Sequence, residues 1–113
     1  MANQAGEFGY AITGTQPLQI ANYEAGEKYD WHSDTSLMIP AGQVMRKLTL
    51  VAQLSPREDF TGGGLYIDGV NDSVLVHQGD VAVFPAYLRH KAETVATGTR
   101  TTAVMWFTGP AFT

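Results

Sequence analysis

Short runs of strand-forming residues, closely punctuated by glycine and proline, constrain this chain more than any other feature. The runs are Leu18 to Tyr23, Leu48 to Leu54, Leu65 to Ile67, Ser73 to Val76, Val81 to Phe84 and Thr101 to Phe107. Their lengths and their Val, Ile, Thr and aromatic content favour strands over helices. Between them stand Gly26, Pro40-Ala41-Gly42, Pro56, Gly62-Gly63-Gly64, Asp68-Gly69, Gly79-Asp80, Gly98 and Gly109-Pro110, which carry turn chemistry. No stretch has the 3.6-residue periodicity of an amphipathic helix of normal length. Many short strands with frequent turns predict an all-β sandwich, barrel or jelly roll. The jelly roll fits best, because its open mouth collects residues distant in sequence around one small-molecule site.

At 113 residues the chain has the size of one domain, read as residues 1–113, with no repeat or linker dividing it. An apolar fraction of 44% against 16% charged residues provides material for one folded core. The net charge of −4 and the scatter of the seven Lys and Arg residues disfavour nucleic acid as a partner. The absence of cysteine removes disulfides and thiolate metal sites, leaving His, Asp and Glu as candidate ligands. No basic and apolar leader opens the sequence and no apolar run nears the ~20 residues of a membrane span. The expectation is a cytoplasmic protein without a membrane anchor.

Within this background, His32-Ser33-Asp34, His90 and Arg100 are the residues with chemical content. Side chains i and i+2 of a strand point the same way, so His32 and Asp34 can reach one metal ion while Ser33 points away. His-x-Asp alone is a weak signal that also describes a surface histidine beside a turn aspartate. His90 adds to it, following Val81-Ala82-Val83-Phe84-Pro85 on what reads as a strand-to-strand turn near the mouth. Two imidazoles and a carboxylate suit one face of an octahedral Fe(II), with the other positions open for cosubstrate and dioxygen. Arg100 shares a strand face with Thr102, Val104 and Trp106. Buried there, its guanidinium needs a carboxylate partner, which a dicarboxylate ligand could supply through paired bonds. His77 has no carboxylate two residues away and is not expected to be a ligand. Gly62-Gly63-Gly64 lacks the Gly-Lys-Ser/Thr continuation of a phosphate loop and reads as a strand-entry turn.

The segment Tyr23-Glu24-Ala25-Gly26-Glu27-Lys28-Tyr29-Asp30-Trp31-His32-Ser33-Asp34 resembles the iron and 2-oxoglutarate dependent dioxygenases of the prolyl hydroxylase type, especially the bacterial PKHD-type hydroxylases. The resemblance continues through Arg46-Lys47-Leu48-Thr49, Leu54 to Leu65, Gly79 to Pro85, His90, Val95, Gly98-Thr99-Arg100 and Trp106, in the family's order. It spans about Tyr23 to Trp106.

What the resemblance implies is a double-stranded β-helix, a cupin-like barrel with little or no helix, in which His32, Asp34 and His90 hold Fe(II). It implies that Arg100 binds the distal carboxylate of 2-oxoglutarate, that Tyr23 hydrogen-bonds the same cosubstrate, and that Thr49 and Thr102 are further candidates beside that carboxylate. Trp106 would wall the pocket. The implied reaction consumes dioxygen and hydroxylates an unactivated carbon, with succinate and carbon dioxide as coproducts. The implied substrate is a prolyl or other residue of a peptide or protein; a free amino acid or small metabolite is the alternative. A non-catalytic jelly-roll module that binds a metal or other ligand is the rival reading, as is a cupin-type metalloenzyme without 2-oxoglutarate. Family members usually carry helices ahead of the barrel, and here barely twenty residues precede Tyr23, so the expectation is either a self-sufficient barrel or a partner or second copy, a homodimer, covering the unbraced face. Loops Thr35 to Val44 and Ser55 to Thr61 are expected around the mouth.

Overall fold

The computed structural model describes residues 12–34, 44–70 and 72–110. They form β1 (Gly14–Thr15), β2 (Gln19–Glu24), β3 (Tyr29–His32), β4 (Val44–Gln53), β5 (Phe60–Gly62), β6 (Leu65–Ile67), β7 (Val81–Pro85), β8 (His90–Ala92) and β9 (Val95–Pro110). Among the described residues there is no α-helix, and a single 3-10 turn at Arg57–Asp59 leads into β5. None of these elements is a helix long and apolar enough to cross a membrane, which says nothing of a β-barrel.

All strand pairs are antiparallel. The larger sheet runs β1-β9-β4-β7, with β2 and β5 also paired to β9; the smaller runs β3-β8-β6. β9 is the spine. Its residues 99–104 pair with β2 and its residues 102–110 with β4, so the two neighbours lie on opposite edges. The sheets close over a core of Val51, Leu65, Ile67, Leu75 and Phe84, with Val104 packed against it. Each such side chain, fully buried, stabilises the fold by roughly 1.5–3 kcal/mol. Two antiparallel sheets closed on one core, with a pocket opening between them, are the jelly roll expected from the sequence.

Two expectations are corrected. Ser73 to Val76 is not a strand. Ser73 Oγ donates to Leu75 O at 2.9 Å, and the amides of Val76 and His77 donate to Asp80 Oδ2 at 3.1 and 2.8 Å, so side chains capture groups that a ladder would need. The segment still buries Leu75 in the core. The last strand is also longer than the apolar run from Thr101 to Phe107, passing through Gly98 and Gly109 without a turn. Gly98 has φ +78°, and a Cβ there would run into the carbonyl oxygen of Asp59 on the chain entering β5. Glycine lets the two backbones touch where β5 joins β9. Residues 35–43, expected to border the mouth, lie outside the described residues.

Candidate active site

His32 ends β3 and His90 opens β8, and the two are register partners with ring centroids 4.3 Å apart. Asp34 follows β3, fixed by its amide donating to Ala86 O at 2.9 Å, while Ser33 turns away to donate to Tyr87 O. His32 Nδ1 lies 2.7 Å from Asp30 O, and His90 Nδ1 lies 2.9 Å from Leu88 O. A carbonyl only accepts, so both Nδ1 atoms carry protons and the neutral rings present bare Nε2 lone pairs. Those lone pairs face a carboxylate: His32 Nε2 is 3.4 Å from Asp34 Oδ1, and His90 Nε2 is 3.2 Å from Asp34 Oδ2. One ligand atom from each residue lies within 4.8 Å of the others.

Three lone-pair-bearing atoms this close repel unless a cation stands among them. A proton can serve at His90, whose pKa is raised: burial opposes the charge, but the hydrogen bonds to Asp34 and to the Leu88 carbonyl outweigh it. Asp34 is pulled down to about 2, since burial is outweighed by hydrogen bonds from His90, Trp106 and Thr49. A divalent metal does the same work for all three groups at once.

Asp34 Oδ2 accepts hydrogen bonds from Thr49 Oγ1 at 2.7 Å and from Trp106 Nε1 at 3.0 Å. Thr49 and Trp106 are partners across β4 and β9. Thr49, expected beside the cosubstrate carboxylate, thus turns its proton to Asp34, and Trp106 is a donor as well as a wall. Arg46 lies with its guanidinium 3.7 Å from the centroid of the Trp106 ring, and its Nε donates to Gln16 Oε1 at 2.9 Å. Sequence reasoning did not single out Arg46. A period of two puts residues 46 and 49 on opposite faces, but the β4–β9 register slips between Arg46 and Leu48, bringing both to the pocket.

The pocket is a cavity of about 320 Å³ between the sheets, lined by the triad and also by Tyr23, Arg100 and Thr102. Tyr23 and Arg100 are register partners, and the guanidinium carbon lies 5.7 Å from the tyrosine ring centroid. Arg100 is only 1% exposed, and its Nε and Nη2 have no hydrogen-bond partner among the described residues. Burial lowers its pKa, which the neighbouring Tyr23 offsets in part; burial raises that of Tyr23, against the pull of Arg100. Thr102 is buried two residues further along the same face. Thus every candidate residue from the sequence reaches one cavity. His77 does not: it is exposed and sits 3.7 Å from Asp80 across a turn. Nor does any residue of Ser55 to Thr61 border the cavity; Arg57 and Phe60 line a second, smaller hollow.

A family model described as the 2OG-Fe(II) oxygenase superfamily matches residues 18–108. The chain belongs to this superfamily. A PKHD-type hydroxylase of Synechococcus sp. (strain JA-2-3B'a(2-13)) is 36% identical over 92 residues, which are 79% of this chain and 41% of that relative. The chain therefore spans about two fifths of the length of this curated relative. Among solved structures, a prolyl-4-hydroxylase of Pseudomonas putida superposes with a TM-score of 0.69 at 20% identity, over 91% of this chain and 57% of that one. A prolyl hydroxylase of Trichoplax adhaerens, in complex with a peptide fragment of hypoxia inducible factor, gives 0.67 at 20%, over 93% and 48%. At such identities these two structures establish the shared fold.

Proposed function

We propose that residues 1–113, as a single domain, form the catalytic unit of an Fe(II)- and 2-oxoglutarate-dependent hydroxylase acting on an unactivated carbon of a prolyl or other residue in a peptide or protein. One observation carries this reading: a His-Asp-His cluster of facing lone pairs shares a cavity with a buried guanidinium that has two nitrogens unpartnered among the described residues. The first asks for a divalent cation and the second for a carboxylate, and 2-oxoglutarate chelated to Fe(II) answers both.

His32 and His90 offer Nε2, and Asp34 a carboxylate oxygen, to the metal. These three residues would hold Fe(II), which with 2-oxoglutarate and dioxygen would supply the oxidising chemistry that gives succinate and carbon dioxide as coproducts. Arg100 receives the distal carboxylate through two N–H bonds, and the low dielectric around it strengthens them. Tyr23 adds a hydroxyl donor from the facing strand, and Thr102 a second. Six residues beyond Arg100 on that face, roughly 20 Å at strand rise, Trp106 and the guanidinium of Arg46 bound the other part of the cavity. That polar and aromatic surface suits the backbone carbonyls and rings of a peptide. The peptide complex of the Trichoplax hydroxylase supports the same substrate class, and the PKHD-type hydroxylase relatives support hydroxylation.

Anaerobic titration of the protein with Fe(II) and then 2-oxoglutarate tests this reading. A weak visible charge-transfer band that decays on admission of air, with succinate formed, is the expected result. His32→Ala and Asp34→Ala should each abolish the band while leaving the far-ultraviolet circular dichroism unchanged. Metal binding without succinate release would favour a binding module, and failure to bind any divalent metal would remove the site assignment.

A further inference from the structure

We infer that Thr49 and Trp106 are positioning residues that hold Asp34 as a one-oxygen metal ligand, occupying Oδ2 so that Oδ1 alone is offered to the ion. The inference rests on the metal-binding reading above. A carboxylate oxygen has about two lone-pair sites. Thr49 Oγ1 and Trp106 Nε1 fill those of Oδ2, at 2.7 and 3.0 Å. His90 Nε2 also lies 3.2 Å from Oδ2, but it is itself a ligand atom whose lone pair would turn to the ion, whereas Thr49 and Trp106 are not ligands and keep their bonds to Oδ2. The ligand atom facing Oδ1 is His32 Nε2, at 3.4 Å.

The clamp cannot easily invert. An indole nitrogen only donates, and a threonine hydroxyl facing a carboxylate must donate. Thr49 is 1% exposed and directly opposite Trp106 in the β4–β9 ladder, so one cross-strand pair delivers both donors. Arg46 lies on the face of the Trp106 ring and is itself held by Gln16, which fixes the plane in which the indole N–H points.

The consequence is a count of positions. Three one-atom ligands leave three positions on an octahedral ion, enough for two cosubstrate atoms and dioxygen. A two-oxygen aspartate leaves two, and dioxygen then competes with the cosubstrate.

Mn(II) is a suitable probe, because the water-proton relaxivity of the bound ion reports how many positions carry exchangeable water. The comparison is between the parent, Thr49→Val, Thr49→Ser and Trp106→Phe, each loaded with Mn(II) alone. Thr49→Val and Trp106→Phe should lower Mn(II) affinity about 10- to 100-fold, as loss of outer hydrogen bonds to metal ligands does. Relaxivity per bound ion should fall by about one third as the freed Oδ2 takes a position. Thr49→Ser, which keeps the donor, should restore both. If the parent binds Mn(II) and both donor-deleting variants match it in affinity and relaxivity, the clamp is wrong although the metal site stands. If the parent does not bind Mn(II), the metal reading fails and the clamp with it. Should Trp106→Phe not fold, the Val and Ser variants at Thr49 decide alone.

Discussion

Replacing Arg100 by leucine should leave the ligand-free protein at least as stable as the parent while removing most of its response to 2-oxoglutarate. The side chain is 1% exposed, and Nε and Nη2 lack partners among the described residues. Each buried donor left unmade costs ~1–3 kcal/mol, so the two together set roughly 2–6 kcal/mol against the ligand-free fold. Leucine has no polar atoms and fills part of the space of the arginine stem, and apolar replacement of buried charge is often neutral or stabilising by ~1–4 kcal/mol. A dicarboxylate meeting the parent recovers the cost through paired, charge-assisted bonds. Its loss should weaken binding by ~2–5 kcal/mol, which is roughly 30-fold to several thousand-fold. The assay is thermal unfolding of both proteins with Mn(II), with and without 2-oxoglutarate, supported by calorimetric titration. At a hundred times Kd the ligand stabilises the parent by ~2.7 kcal/mol, a rise on the order of 10 °C for a domain of this size, and the variant should keep at most about a third of that rise. An Arg100→Leu protein that melts well below the parent without ligand, and still gains the full shift with it, would refute both halves of the reasoning.

Tyr23→Phe removes one protein hydroxyl proposed to hydrogen-bond the same cosubstrate and should cost ~0.5–1.5 kcal/mol of 2-oxoglutarate affinity; a calorimetric loss exceeding that of Arg100→Leu would reverse their assigned ranks. Metal uptake should weaken as pH falls below the raised pKa of His90, because the proton on Nε2 must leave first, so Mn(II) titrations between pH 6 and 8 should steepen toward acid and a flat profile would count against the assignment. In the metal-free protein, His90 contributes stability that is complete below its unfolded pKa, about 6.5, and lost as pH rises through its raised folded value. Asp34 contributes stability that is complete above the ordinary carboxylate pKa, about 4, and lost as pH falls toward 2, so the pair's stabilisation should be greatest between roughly pH 4 and 6.5. Gly98→Ala combines a positive φ with a collision against Asp59 and should lose more than ~2 kcal/mol in urea unfolding, whereas Gly26→Ala, at φ +90° with nothing within 4 Å of the added carbon, should lose only ~1 kcal/mol.

The site was legible in the sequence because its residues obey local rules. His32 and Asp34 stand two apart at the end of a strand, and Arg100, Thr102 and Trp106 keep a period of two along β9, so one side of the pocket follows from the pleat. The pairing of Thr49 with Trp106 is a matter of register, which alternation does not fix. Arg46 was hidden by the slip around Lys47, which no composition signal announces. Ser73 to Val76 failed for a different reason: its Val and Leu residues read as strand, while the captors of its backbone, Ser73 and Asp80, act through geometry that emerges only when the turn forms. Gly98 was read as punctuation because glycine usually is. Within β9 it marks the place where another backbone touches the strand.

The division of labour between the sheets explains how so short a chain can carry such a site. Both imidazoles come from the smaller sheet, and Asp34 from the turn that leaves it. The donors that orient Asp34, and the Arg100 and Tyr23 pair, come from the larger one. Neither sheet holds a complete site, so the metal cluster and its supports come into register only when the sheets close. What closes them is the core beside the site, where Leu65 and Ile67 of the smaller sheet meet Val51 and Phe84 of the larger, and the Phe84 ring lies 4.9 Å edge-on to His90. Packing that stabilises the fold and packing that aims the histidine are therefore the same contacts. A metal bound by His32, Asp34 and His90 draws its affinity in part from sheet closure, and by linkage returns that free energy as stability of the closed form.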